Sequence, residues 1–285
     1  MDPIVEFAPA KLNLYLHVTG RRADGYHLLD SLMAFAGVGD TVAVSASAGG
    51  PSLAVDGPRA AEVPAGPDNL VLRAAVALAE RLGRPPAVQV ALTKRLPVAS
   101  GIGGGSADAA AVLRALGRLW DVSEADLAAV APGLGADVPV CLASRTRAVS
   151  GIGEVVEAAP ALPPAGVVLA NPGVALETPP VFKARTGPFS AADPLTAAPA
   201  DAAALADALK RRRNDLAEPA CRLCPVIAEV LEALAADRRC LLARMSGSGA
   251  TCFGLYADAA IAAEAAKALR ATHAGWWVAE AALLV

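Results

Sequence analysis

Pro97-Val98-Ala99-Ser100-Gly101-Ile102-Gly103-Gly104-Gly105-Ser106-Ala107-Asp108 is the stretch that decides how this chain is read. Four glycines in the five positions 101–105 let the backbone approach a ligand with no Cβ in the way. After Ala107 the pattern turns helical, with Val112, Leu113, Leu116 and Leu119 or Trp120 recurring on one face. Free N–H groups at the positive end of a helix form an anion site, and phosphate is the anion such loops most often hold. The stretch therefore reads as a cradle for the phosphates of ATP. Two rival grammars fail on spacing. A Walker A loop puts lysine directly after its last glycine, whereas Gly105 is followed by Ser106 and Ala107. A dinucleotide fingerprint needs glycine or alanine where this chain has Ser106, and an acid closing a second strand about 20 residues on. Asp121 stands near that distance, but it follows the helix and precedes Ser123 and Asp126, which have helix-capping spacing. The remaining alternative is a glycine-rich surface turn with no ligand.

Upstream of the loop, Val88, Val90 and Leu92 alternate as a strand running into Lys94. Asn69 to Leu82 reads as a helix opened by Asp68. Leu12, Leu14 and Leu16 mark an earlier strand, and Val42–Val44 and Leu53–Val55 are short strands divided by a Gly49-Gly50-Pro51 turn. Downstream, Leu127 to Val130 is a short helix stopped by Pro132-Gly133. Ala158 to Pro164, rich in alanine and proline, is the neck between two parts. Beyond it come a strand at Val167–Ala170, helices over Asp201–Asn214 and Pro225–Ala236, and strands at Leu241–Met245 and Cys252–Tyr256. A helix from Asp258 to Ala271 and a strand at Trp276–Ala279 follow. That order suits a split β-α-β sheet with helices on one face. Thr186 to Ala200, with three prolines, reads as an exposed loop.

The 285 residues suffice for two domains with a core each, and 55% apolar against 19% charged residues makes the chain globular. A net charge of −3 gives no general attraction to nucleic acid or an anionic membrane, so phosphate recognition must be local. The uncharged stretch from Ala158 to Leu176 is broken by four prolines and cannot span a bilayer, and the start has neither a basic nor an apolar leader region. Five cysteines without framework spacing suit a reducing cytosol, and a cytoplasmic protein is expected. Cys221-x-x-Cys224 lacks a second zinc-spaced pair and reads as two ordinary thiols.

Three further clusters carry polar groups in apolar surroundings. Ala8-Pro9-Ala10-Lys11-Leu12-Asn13-Leu14 sets Lys11 and Asn13 on one face of a strand. Gly133-Leu134-Gly135-Ala136-Asp137-Val138-Pro139 sets a lone carboxylate in an apolar turn, where it either faces solvent as a cap or meets a cation. Arg244-Met245-Ser246-Gly247-Ser248-Gly249-Ala250-Thr251 is a second small-residue loop, which alone would be a tight hairpin.

Taken with the glycine loop, these clusters resemble the GHMP kinase superfamily from Phe7 to about Tyr256. The resemblance rests on Pro9-Ala10-Lys11-Leu12-Asn13, Arg22-Ala23-Asp24-Gly25-Tyr26-His27, Gly101-Ile102-Gly103-Gly104-Gly105-Ser106, Gly135-Ala136-Asp137-Val138-Pro139 and Ser246-Gly247-Ser248-Gly249-Ala250. Ile102 stands where that family commonly has leucine, and Ala99-Ser100 where glycines are common. The Asp24-Gly25-Tyr26-His27 element resembles the branch whose acceptor alcohol carries a cytidine diphosphate; homoserine-type and mevalonate-type kinases, or a silent nucleotide binder on the same scaffold, are the alternatives.

The resemblance implies an α+β fold of two domains, an N-terminal ATP-binding domain over 1–158 and a C-terminal split β-α-β (ferredoxin-like) domain over 165–285, with the site in the cleft between them. It implies that Asp137 is the general base for the acceptor hydroxyl and that Lys11 stabilises the developing charge, with Asn13 positioning both. Tyr26, His27 and Phe182 would hold the cytosine. Asn69, Leu70 and Lys94 would surround the adenine, while Pro97, Gly101, Gly103, Gly104, Gly105 and Ser106 would form the phosphate cradle. Ser106 would also approach a magnesium ion, and the loop of Ser246, Gly247, Ser248 and Gly249 would close over the site. The partners expected are ATP with Mg2+ and a cytidine diphosphate sugar-alcohol, with no nucleic acid or membrane, for a monomer or weak homodimer.

Overall fold

The computed structural model describes residues 2–64 and 66–285; Met1, the expected start of the first domain, lies outside them. By packing, the chain forms two compact units that interleave along the sequence. The first takes the residues up to Ala10, Gly39–Val98 and Gly103–Ser144; the second takes Lys11–Val38, Ala99–Ile102 and Arg145–Val285. The expected division at 158–165 follows chain order, whereas the units interleave because strands β1 (Ile4–Arg21) and β2 (His27–Ala46), 18 and 20 residues long, contribute to both.

In the first unit, β3 (Ser52–Asp56) lies parallel to β4 (Val88–Thr93), and β4 runs antiparallel to Thr41–Ala46 of β2. Val88, Val90 and Leu92 are buried while Gln89 and Ala91 face solvent, the alternation that marks a half-covered strand. Between β3 and β4, α1 (Leu70–Arg81) starts one residue later than the expected Asn69. Its N-cap is Asn69, whose side chain accepts from the Val71 N–H, rather than Asp68. The glycine loop opens α2 (Gly104–Trp120), whose alanine-rich face is buried and whose end turns at Asp121 in the left-handed region. Ser123 caps α3 (Glu124–Leu134) as the spacing implies. That helix runs through Pro132, where the sequence suggested a stop, and ends instead at Gly135, whose φ of +157° favours glycine. The one-and-a-half-turn α4 (Val138–Ala143), with Asp137 as N-cap and Pro139 in its first turn, was not read from the sequence.

In the second unit, β5 (Arg147–Gly151) pairs with Leu29–Met33 of β2 and with β6 (Val155–Ala158). The expected split β-α-β sheet follows, built from β7 (Gly166–Asn171), β8 (Leu242–Met245), β9 (Cys252–Tyr256) and β10 (Trp277–Leu284). They lie in the order β10-β7-β9-β8, all neighbours antiparallel, which is the fourth-first-third-second order of a ferredoxin-like sheet. Every residue of β7 is buried, which explains its unbroken apolar run. Helices α5 (Thr178–Ala184), α6 (Ala202–Lys210), α7 (Ala217–Leu223), α8 (Val226–Ala235) and α9 (Ala259–Thr272) supply the rest. Ile227, Val230 and Leu234 of α8 and Ala262, Ala266 and Leu269 of α9 join Val168, Ala170 and Cys252 in one core cluster. Residues 186–200 carry no helix or strand, as expected, but the segment is pinned. Asp193 N–H donates to Asp30 at 2.7 Å and Ser190 N–H to the Val18 carbonyl at 2.9 Å. Cys221 and Cys224 remain thiols, both raised in pKa by burial.

Candidate active site

β1 is buried without interruption from Ala8 to Leu16, so its polar residues cannot be a solvated edge. Their partners are built in. In the second unit, the Lys11 ammonium donates to Asn13 Oδ1 at 2.8 Å and Asn13 Nδ2 to Ser31 Oγ at 2.9 Å; Ser31 in turn donates to the Tyr15 carbonyl at 2.6 Å. Further along the same face, Asp30 takes hydrogen bonds from Tyr15 at 3.2 Å and His17 at 3.3 Å. Burial works to raise the Asp30 pKa, but the bonds from His17, the Asp193 N–H and Tyr15 outweigh it and hold the carboxyl below its ordinary value. Ser31 and Asp30 were missed in the sequence because residues 28–38 of β2 are almost wholly apolar around them and carry no chemical motif.

The two small-residue loops meet in this unit. Lys11 N–H donates to the Ile102 carbonyl at 2.9 Å, and Ser246 Oγ donates to the Gly101 carbonyl at 3.0 Å while accepting from Asn13 N–H at 3.1 Å. Gly101 has a φ of +77°, and a Cβ there would stand 2.5 Å from the Ser246 carbonyl oxygen, so only glycine fits. The Ser246–Gly249 loop is itself braced. Asn214 Nδ2 donates to the carbonyls of Met245 and Gly247, both at 2.8 Å, and Ser248 lies 2.8 Å from the Thr178 hydroxyl. Arg244, buried, donates to the carbonyls of Leu14, Leu209 and Arg212; burial brings its pKa down to about 10, which leaves it charged at neutral pH. Asn214 was read as the end of a helix, but α6 stops at Lys210, freeing Asn214 to reach this loop.

Gly103 to Ser106 and Asp108 belong to the first unit, at the start of α2. Lys94, expected beside the adenine, has its ammonium enclosed between Asp40 at 2.6 Å and Asp108 at 2.7 Å, with 2% of its surface exposed. Its backbone is also spent, donating to the Asp56 carbonyl and accepting from the Arg59 N–H. The lysine side chain thus braces the loop through these two carboxylates. A Cβ on Gly104 would stand 3.1 Å from the Lys94 Nζ, so the cation lies directly under the first turn of α2. Burial works against the ammonium, but Asp108 and Asp40 outweigh it and raise its pKa. Burial also pushes the Asp108 carboxyl up to about 7, with the charge of Asp40 adding and that of Lys94 opposing. Gly105 is exposed with open space where a Cβ would go, and Ser106 is half-buried beside it. The Asn69 side chain, expected near the adenine, is committed to capping α1 and to the Pro64 carbonyl at 2.7 Å, while Leu70 is half-buried next to it. Asp137 is half-buried at the start of α4.

His27 and Phe182, 155 residues apart in the sequence, stack in the second unit with ring centroids 5.0 Å apart and planes 23° off parallel. Burial, with Arg21 and Arg185 nearby, lowers the His27 pKa, so the imidazole is neutral at physiological pH and can both donate and accept. Tyr26, next to His27 in the chain, has 62% of its surface exposed. Among the described residues, no group of three or more His, Cys, Asp or Glu could hold a metal, and no helix is long and apolar enough to cross a membrane.

The fold and these loops define a class. The pattern of the GHMP kinases N terminal domain matches residues 69–145 and that of GHMP kinases C terminal matches residues 196–275; the chain belongs to the GHMP kinase family. It is 61% identical over 279 residues to the 4-diphosphocytidyl-2-C-methyl-D-erythritol kinase of Paramagnetospirillum magneticum, covering 97% of each chain. To the kinase of the same name from Rhodospirillum rubrum it is 59% identical, covering 97% of this chain and 91% of that one. A crystal structure of 4-(cytidine 5'-diphospho)-2C-methyl-D-erythritol kinase superposes with a TM-score of 0.82 at 37% identity, covering 98% of both chains.

Proposed function

We propose that this chain transfers the γ-phosphoryl group of ATP to the 2-hydroxyl of 4-diphosphocytidyl-2-C-methyl-D-erythritol, a step of the non-mevalonate route to isoprenoid precursors. The observation that carries the reading is identity of up to 61% along nearly the whole chain to kinases of that name. The stacked His27 and Phe182 beside exposed Tyr26 support a planar base such as cytosine as part of the acceptor.

In this reading the backbone N–H groups of Gly103 to Ser106 take the ATP phosphates, aided by the positive end of α2. The loop from Ser246 to Gly249 holds Gly101 through Ser246. Asn69 and Leu70 flank the adenine. Asp137 accepts the proton of the acceptor hydroxyl as its oxygen bonds to the γ-phosphorus and the bond to the ADP oxygen breaks. Lys11, oriented by Asn13, neutralises charge developing on the transferring group. Because the transition state is loose, the proton can leave late and a weak base suffices. Mg2+ would be held by the substrate phosphates and water with the Ser106 hydroxyl, and when bound would neutralise phosphate charge. The protein would work in the cytoplasm as a monomer or weak homodimer, with small molecules as its only partners.

The test is Asp137→Asn assayed for ADP release with the cytidyl substrate. We expect kcat to fall by about 10²–10⁴-fold with little change in substrate KM. Full activity in a folded variant would remove Asp137 from the chemistry. The uridyl analogue run in parallel should be a poor substrate; equal turnover would remove Tyr26 and His27 from base recognition.

A further inference from the structure

The base-binding rings proposed above are bordered by two arginines that lie outside the motifs quoted for the family. Arg185 follows Phe182 by one helical turn, its N–H donating to the Phe182 carbonyl at 3.2 Å, and Phe182 is the ring that stacks on His27. Arg21 ends β1 and folds back over the turn that leads to Tyr26, donating from Nε to the Gly25 carbonyl at 3.0 Å. Arg22 N–H closes that turn on the Tyr26 carbonyl at 2.8 Å. Each arginine is thus anchored within three residues of one of the two stacked rings, and both charges help burial to lower the His27 pKa.

Neither arginine has a carboxylate within ion-pair distance among the described residues. Asp24, the acid nearest Arg21 in sequence, is taken by Arg22 at 2.8 Å. Arg185 is held by the carbonyls of Gly187 at 3.4 Å and Pro188 at 2.5 Å and lies 5.1 Å from the Phe189 ring; its Nε–H has no acceptor. Two guanidinium groups without an acid partner, beside a neutral imidazole, make an arrangement that an anion would complete. The planar, forked guanidinium is suited to phosphate oxygens.

We infer that Arg21 and Arg185 form a subsite for the diphosphate of a nucleoside diphosphate acceptor, next to the rings that hold its base. The inference rests on the function proposed above. It adds that the acceptor is selected for its phosphates by arginine side chains, separately from selection for its base.

The experiment measures competitive inhibition by cytidine, CMP and CDP against the cytidyl substrate in the unaltered protein, Arg21→Gln, Arg185→Gln and the double variant. Each substitution should weaken CDP binding and raise the substrate KM about fivefold, as expected for a partly exposed charge-assisted contact. Cytidine inhibition, kcat and the KM for ATP should stay within about twofold. Arg185→Lys, which keeps the charge, should recover most of the loss, and added salt should narrow the advantage of CDP over cytidine. An equal loss for cytidine and CDP, or no loss for either, would overturn the subsite and leave the kinase assignment standing. Unaltered protein that fails to turn over the substrate would overturn both.

Discussion

The Lys94 ammonium and the Asp108 carboxylate, 14 residues apart in the chain, meet at 2.7 Å beneath the first turn of α2, both buried. The same ammonium holds Asp40 at 2.6 Å, and Asp40 also accepts the Arg95 and Leu96 N–H groups. One cation thus ties β2, the end of β4 and the glycine loop's helix together. In the proposed reading, loop amides fixed in advance would need no reorganisation when phosphate binds.

Lys94→Met would leave two carboxylates buried with no cation between them. Stability should fall by about 3–5 kcal/mol, the usual effect of removing one partner from a buried charge cluster. Urea denaturation at pH 7 reads this directly, and an unchanged midpoint would mean the cluster contributes nothing.

Asp108 gives the cluster a pH signature. Its carboxyl is raised from an ordinary 3.8 to about 7, burial being the largest cause. Between those values the folded protein keeps a proton that the unfolded chain has lost, so this group's contribution makes stability decline as pH rises from about 4 to about 7. Asp108→Asn should flatten that part of the profile. Unfolding free energies at pH 5, 6, 7 and 8 for both proteins provide the comparison, and identical slopes would assign the titration elsewhere.

Two glycines in the loop should respond oppositely to alanine. At Gly101 the left-handed backbone and the Ser246 oxygen 2.5 Å from the new Cβ make Gly101→Ala destabilising, by about 2 kcal/mol or more, with activity lost alongside. At Gly105 nothing stands within 4 Å, so Gly105→Ala should fold normally and gain up to about 1 kcal/mol of helix stability. Its methyl group would instead obstruct the phosphates and raise the KM for ATP. Melting curves with ATP kinetics separate the two; an unchanged KM in Gly105→Ala would place the phosphates elsewhere.

Tyr26, 62% exposed, contributes little to the core, so Tyr26→Ala should alter stability by less than about 0.5 kcal/mol. Base–aromatic stacking is worth about 1–3 kcal/mol, and the KM for the cytidyl substrate should rise accordingly while that for ATP holds. Equal loss for both substrates would make Tyr26 a structural residue.

Much of this was legible in the sequence. The glycine run opening α2, the Ser123 cap, the alternation in β4 and the strand-helix order of the C-terminal half all depend on neighbours a few residues apart. The same local reading went astray where packing overrode it. Pro132 did not stop α3, and residues 28–38, an apolar run with no alternation, hid the strand that brings Asp30 and Ser31 to β1. The position of Lys94 beside the loop is local information, whereas its pairing with two distant carboxylates is not.

By itself, then, the sequence determined the local chemistry of this protein: a glycine-rich run opening a helix, a lysine and an asparagine on one strand face, and a tyrosine–histidine pair after a tight turn. Only the tertiary structure decided which distant groups meet: Lys94 with Asp40 and Asp108, Asn214 with the Ser246–Gly249 loop, and Asp30 with His17 and Tyr15. The reason is physical. Turns, caps and periodicity arise within a few bonds of the residue concerned, while these pairings depend on strand order and register, which emerge only when the whole core packs.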